Sequence, residues 1–288
     1  MRPGTVTAFC PGHISGYFKR VNGTTRADTG SIGAGIVIDK GVAATVTKAG
    51  RTSIRVDRVD ANGTRSEYAG DSPLLSSVME RLGVTASVVT ECHLPIGAGF
   101  GLSAAALLAT LTALDRLYGL DLTAHDIALL AHEAEVMHRT GLGDVAACQS
   151  GGWVVRKGPG IDATIQRRYD LTGSVYAVSF GPIHTPSVLG SQQQMERVSS
   201  AFPRRSPKNI DDLFRISQEF AVASGLVTRQ VREVIQHCGA HGIPASMTML
   251  GNGVFAYGRD ARDLLAKFGE VYECAVARTG ARITGERP

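Results

Sequence analysis

"PIGAGFGLSAAALLATLTAL", residues 95–114, carries no charge, and with Leu94 the uncharged run reaches 21 residues. That is about the length that crosses a bilayer. Three glycines alternate with other residues at its front, and leucines recur behind them. Such a stretch is a membrane span, a buried core helix, or a loop that holds an anion with a helix behind it. The span is excluded by the front third, rich in proline, glycine and alanine: a continuous apolar helix starts only near Leu102, leaving 13 residues before Asp115. That is too short for the hydrocarbon core. No aromatic belt or basic flank brackets it either.

The neighbouring residues favour the anion loop. "VTASVVTECHL" (84–94) reads as a strand leading into the glycines, and Leu107, Leu111, Leu114 and Tyr118 fall on one stripe of a helix behind them. Glycines let the backbone approach a phosphate with no Cβ in the way. The free N–H groups and dipole of the following helix favour negative charge there. Ser103 falls in the first turn, where its hydroxyl reaches a phosphate or its Mg²⁺. The loop is no Walker A, which needs GK[ST], and no dinucleotide fingerprint, because the sixth place counted from Gly97 is Leu102. A glycine-rich turn entering a core helix is the plainer alternative for this segment alone.

The rest of the chain sets the bounds. At 288 residues and 30.4 kDa it is one large domain or two lobes. Hydrophobic residues make up 43% and charged residues 19%, as in globular proteins, and the net charge of +4 suits anionic substrates. "FPRRSPKN" (202–209) is the densest basic cluster and reads as a solvated linker rather than a nucleic-acid patch. Cys10, Cys92, Cys148, Cys238 and Cys274 are scattered, with no CxxC pair and no zinc spacing, which predicts reduced thiols in a cytoplasmic protein. "MRPGTVTAFCPGHISG" has no apolar h-region, so no secretory signal is expected.

Strands are predicted at 5–9, 35–39, 42–47 and 53–59. A helix is predicted over 72–83, with Ser72 as N-cap, Pro73 in the first turn and Gly83 as stop. Another is predicted over 122–139, opened by a Thr123–Asp126 capping box. A strand starts at Trp153. Beyond a break at 158–173 a second set follows: strand 175–180, helices near 211–224 and 227–238, strands near 246–257, helix 261–268 and strand 272–278. The expected division is an N-terminal lobe, 1–160, and a C-terminal lobe, 161–288.

"PIGAGFGLSAA" resembles the second motif of the GHMP kinases, P-x-x-x-G-L-G-S-S-A. Phe100 stands for the usual leucine and Leu102 for the first serine, while Ser103 is kept. "FCPGHISGYF" (9–18) is similar to the first motif, and "PASMTMLGNGVFA" (244–256) to the third. Three motifs in family order cover nearly the whole chain. The wording of "ADTGSIGAGIVI" and "GLGDVAACQSGGWVVRKGPG" is similar to the archaeal branch of the family that acts on pantoate. The resemblance implies a two-lobed α+β fold, with a ribosomal-protein-like N-terminal lobe and a ferredoxin-like α/β sandwich as the C-terminal lobe. It further implies ATP and Mg²⁺, with ATP held by Pro95, Gly97, Ala98, Gly99, Phe100, Gly101, Leu102, Ser103 and Ala104. Phosphoryl transfer to pantoate in coenzyme A biosynthesis and a cytoplasmic homodimer are implied too. Neither nucleic acid nor membrane is an expected partner.

The chemistry needs oxygens for Mg²⁺ and a group that takes or orients a hydroxyl proton. Ser103 supplies one oxygen. For the second, Glu135 shares a helix face with His132, three residues before it, while Glu133 points about 100° away from His132; similarity to the family also favours Glu135. Asp144, in "GLGD", is the candidate base, and helix N-capping is its local alternative. His13 stands where mevalonate kinases carry lysine; a neutral imidazole is no permanent cation, so lysine's role is not carried over. The resemblance assigns acceptor contacts to Ser31, His132 and Arg156, and His13 is grouped with them. Arg156 is able to offer a carboxylate a two-point fork. Shikimate, homoserine and mevalonate are the competing acceptors. A non-catalytic ligand-binding member of the fold is the other alternative, disfavoured by Ser103, Glu135 and Asp144 occurring together.

Overall fold

The computed structural model describes residues 3–60, 62–183 and 191–288. Two long strands, β1 (Thr5–Val21) and β2 (Gly30–Lys48), pair antiparallel from Thr5 opposite Thr47 to Val21 opposite Gly30. The short runs expected at 5–9, 35–39 and 42–47 are pieces of these two. Their glycines look like turns in sequence but serve close backbone approach. A Cβ at Gly41 would lie 2.0 Å from the Cys10 carbonyl oxygen.

The second half of β2 pairs with β5 (Ala86–Cys92), which runs parallel to β3 (Ser53–Val59), and β4 (Arg65–Ala69) forms the edge. The first half of β2 pairs instead with β6 (Trp153–Arg156), followed by β7 (Ile165–Arg168). The last strand, β12 (Arg282–Arg287), returns to pair with β1. A second sheet orders β11 (Val271–Cys274), β8 (Val175–Pro182), β10 (Gly251–Tyr257) and β9 (Ala245–Met247), all antiparallel.

Helix ends follow the local chemistry. α1 (Pro73–Leu82) has its Leu75 N–H donating to Ser72 Oγ, and stops at Gly83 with φ 65°. α2 (Leu102–Tyr118) is buried along most of its length against β1 and β2. α3 (Ala124–His138) opens with both halves of the Thr123–Asp126 capping box. α4 (Asp144–Cys148) is short; α5 (Gln192–Ala201), α6 (Ile210–Ser224), α7 (Arg229–Ala240) and α8 (Ala261–Leu265) pack with the second sheet and with one another. "FPRRSPKN" joins α5 to α6, with Phe202 edge-on to Tyr17. Among the described residues no helix is long and apolar enough to cross a membrane. All five cysteines are buried and unbridged.

The stretch 95–114 is therefore a positive-φ loop ahead of a core helix. Gly97, Gly99 and Gly101 have φ of 77°, 83° and 62°. Both flanking motifs are laced to this loop. The His13 N–H donates to the Phe100 carbonyl (2.9 Å) and the Ile183 N–H to that of Gly97 (3.1 Å). The Thr248 hydroxyl donates to the Ala98 carbonyl (3.0 Å), and the Met249 N–H to that of Ser15 (3.2 Å). At Gly99 a Cβ would sit 2.8 Å from the Met249 carbonyl oxygen. Gly99→Ala is thus expected to cost about 1–3 kcal/mol from the positive φ alone, seen as a lower Tm in a thermal scan. An unchanged Tm would mean that the loop yields freely.

Candidate active site

Ser103, in the first turn of α2, faces α3 and donates its hydroxyl to Glu135 Oε1 at 2.5 Å. The Thr140 hydroxyl donates to the same oxygen at 3.0 Å, while Glu135 Oε2 is buried with no partner. Burial first, and the nearby charge of Asp144 second, push the Glu135 carboxyl up to about 8. Glu133 turns elsewhere and forms an ion pair with Arg81 of α1.

Asp144 opens α4, but Gly143 holds the cap position and no side chain caps the helix. The capping alternative for Asp144 fails because its carboxylate is engaged across the fold: His13 Nδ1–H donates to Oδ1 at 2.6 Å. Burial pushes the Asp144 carboxyl up. The His13 hydrogen bond and the positive charge of Arg156 outweigh that, and it settles below the ordinary carboxylate value. The two nearby carboxyls are thereby driven apart, Asp144 held below the ordinary carboxylate value and Glu135 pushed above it. His13 is fully buried, and desolvation leads its other influences in lowering its pKa, so the ring is neutral.

The glycines of "GLGD" make the convergence possible. A Cβ at Gly141 would lie 2.2 Å from Glu135 Oε2 and 3.1 Å from Asp144 Oδ2. One at Gly143 would lie 2.5 Å from Ser31 Oγ and 2.7 Å from Arg156 Cζ. Arg156 ends β6 and is only 3% exposed. Its Nη2 donates to Ser31 Oγ at 3.3 Å, and Nε and Nη1 are buried without partners. His132 is also buried, and its Nε2–H donates to the Thr29 carbonyl at 2.8 Å, tethering the segment that leads into Ser31.

Part of this set lines a cavity of about 660 Å³. Gly97, Gly99, Phe100, Gly101, Leu102 and Ser103 line it, whereas Pro95, Ala98 and Ala104 do not. Ser31, Asp144 and Arg156 line it as well; Glu135, His13 and His132 do not, Glu135 lying behind Ser103 and Thr140, and the two histidines reaching it through Asp144 and the Thr29 segment. Val56, Leu75 and Cys92 add apolar wall, and Tyr68, 57% exposed, lines it too. Two contributors carried no sequence signal. Thr140 is one. Arg167 of β7 is the other: its guanidinium donates to the carbonyls of Ala146, Ala147, Ser150 and Gly151 at 2.8–3.1 Å, holding the C-terminal end of α4.

A strand, a glycine loop and a helix N-terminus facing a carboxylate pair are the parts of a small-molecule kinase of the GHMP class. The family model described as GHMP kinases N terminal domain matches residues 73–152. The pantoate kinase of Methanospirillum hungatei JF-1 is 47% identical over 283 residues, covering 98% of each chain. That of Thermococcus kodakarensis is 31% identical, covering 94% of this chain and 95% of the other. A solved structure described as a phosphotransferase related to the CoA biosynthesis pathway superposes with a TM-score of 0.80, at 25% identity, over 97% of this chain and 98% of the other. The chain belongs to the GHMP kinase family, and within it groups with these pantoate kinases.

Proposed function

We propose that this chain is an ATP- and Mg²⁺-dependent pantoate kinase, which phosphorylates the C4 hydroxyl of (R)-pantoate to 4-phosphopantoate in archaeal coenzyme A biosynthesis. The observation that carries the reading is a buried guanidinium with two unpartnered nitrogens lining the same cavity as an ionised Asp144. Such a pair suits an acceptor with a carboxylate at one end and a primary hydroxyl at the other. Homoserine and mevalonate share that chemistry, shikimate pairs its carboxylate with secondary hydroxyls, and the kinship with pantoate kinases favours pantoate over all three. An ADP-release assay across the four acceptors separates them.

Backbone N–H groups of the loop and the α2 N-terminus are placed to receive the phosphates. Ser103 Oγ and the unpartnered Glu135 Oε2 are hard oxygen donors that fit Mg²⁺. Bound Mg²⁺ would neutralise phosphate charge. Asp144 orients the acceptor hydroxyl. As its oxygen bonds to the γ-phosphorus and the bond to ADP breaks, the hydroxyl proton passes to Asp144. An alcohol's pKa lies far above 7, so this transfer falls late. Residues 1–160 would form the nucleotide-binding lobe and 161–288 the second, with β12 crossing back. A cytoplasmic homodimer is part of the same proposal, and the buried unbridged cysteines accord with that compartment.

Arg156→Ala is expected to raise the KM for pantoate more than tenfold, or more than about 1.4 kcal/mol, with the KM for ATP nearly unchanged. Arg156→Lys should recover only part, since an ammonium makes no planar two-point contact. An effect on ATP alone would move Arg156 to the nucleotide side.

A further inference from the structure

The histidine that replaces the family's lysine is neither a surface residue nor a wall of the cavity. His13 is fully buried, and its ring lies against Gly35, where a Cβ would come within 2.4 Å of Nε2. That nitrogen packs on the Gly35 backbone and His13 is no part of the cavity wall, so direct contact with an acceptor is not its task. Two other atoms are engaged. Nδ1–H holds Asp144 Oδ1 at 2.6 Å, and the backbone N–H holds the Phe100 carbonyl of the phosphate loop at 2.9 Å. Asp144 Oδ2 is left as the oxygen available to the cavity.

Resting on the kinase reading above, we infer that His13 is a positioning residue that aims Asp144 Oδ2 at the acceptor hydroxyl and ties the base to the nucleotide loop. Its value over lysine lies in what it leaves out. Arg156 and Arg167 already act on this region as positive charges. A neutral imidazole orients Asp144 without adding a third cation close to the carboxylate that takes the proton. Arg156 is then left with unpartnered nitrogens for the acceptor.

The test compares wild type with His13→Leu, His13→Asn and His13→Gln, measuring kcat and both KM values by ADP release with pantoate. His13→Leu should lower kcat roughly 10- to 100-fold, the usual cost of losing a group that orients a functional residue, with both KM values within a few-fold of wild type. Asparagine carries its amide nitrogen close to the Nδ1 place, so His13→Asn should recover much of kcat. Glutamine carries it toward the Nε2 place, so His13→Gln should not. In an Asp144→Asn background, His13→Leu should cost nothing further. A wild-type kcat in His13→Leu would overturn the inference. So would equal kcat in the Asn and Leu variants, or the full loss repeated in the Asp144→Asn background. If wild type turns over a different hydroxy acid, the pantoate reading fails, and the same variants on that acceptor still decide the role of His13.

Discussion

Asp144→Asn is expected to lower kcat by roughly 10²- to 10⁴-fold, the range for loss of a positioned proton acceptor, while the KM for ATP stays close to wild type. The amide keeps the carboxylate's shape, and its carbonyl oxygen still accepts from His13 Nδ1–H, so the local structure of α4 should persist. What disappears, on the proposed mechanism, is the oxygen that takes the hydroxyl proton. Nucleotide binding is spared because that mechanism assigns the phosphate contacts to the loop and α2. Steady-state kinetics with an ATP titration checks both halves. A normal kcat would reduce Asp144 to a structural partner of His13.

Glu135→Gln should act in two opposite directions. Activity should fall at least about 100-fold if Glu135 holds Mg²⁺ as proposed, since a metal ligand contributes several kcal/mol of charge stabilisation. Stability should rise at alkaline pH. The Glu135 carboxyl, ordinarily near 4.5, sits at about 8 in the fold, chiefly through burial. The folded state then binds this proton more tightly than the unfolded chain, so stability falls as pH rises from about 4.5 to about 8 and the penalty is complete above that. Glutamine never ionises and escapes the penalty. The Tm of Glu135→Gln should therefore exceed wild type at pH 9, with the gap closing below pH 5. Thermal scans across that range decide it; a gap independent of pH would mean that the fold does not raise the Glu135 carboxyl.

Much of this was visible before any coordinates, for local reasons. The Ser72 cap, the Gly83 stop and the Thr123–Asp126 box are chemistry confined to a few adjacent residues, and each occurs as read. The loop and the start of α2 were legible because glycine spacing and the leucine stripe change character at Leu102. Other features depended on distant partners. β1 runs through Pro11 and Gly12, which look like a turn until Gly41 and Ile38 are seen opposite. The strands β4, β7 and β12 are polar and half exposed, so no apolar run announces them. Asp144 read equally well as a cap because its partner, His13, lies 131 residues away. Arg167 looked like any surface arginine in "IQRR", and only the carbonyls at the end of α4 give it a purpose.

The lacing of the glycine loop bears on how nucleotide is captured. In many nucleotide enzymes the phosphate-binding loop becomes ordered only as the ligand arrives, and that ordering subtracts from affinity. Here the carbonyls of Gly97, Ala98 and Phe100 are each already held, by Ile183, Thr248 and His13, from both sides of the cleft. Loss of loop freedom is thus charged to folding rather than to each turnover. The loop's proposed phosphate-binding amides would then need no rearrangement before nucleotide arrives.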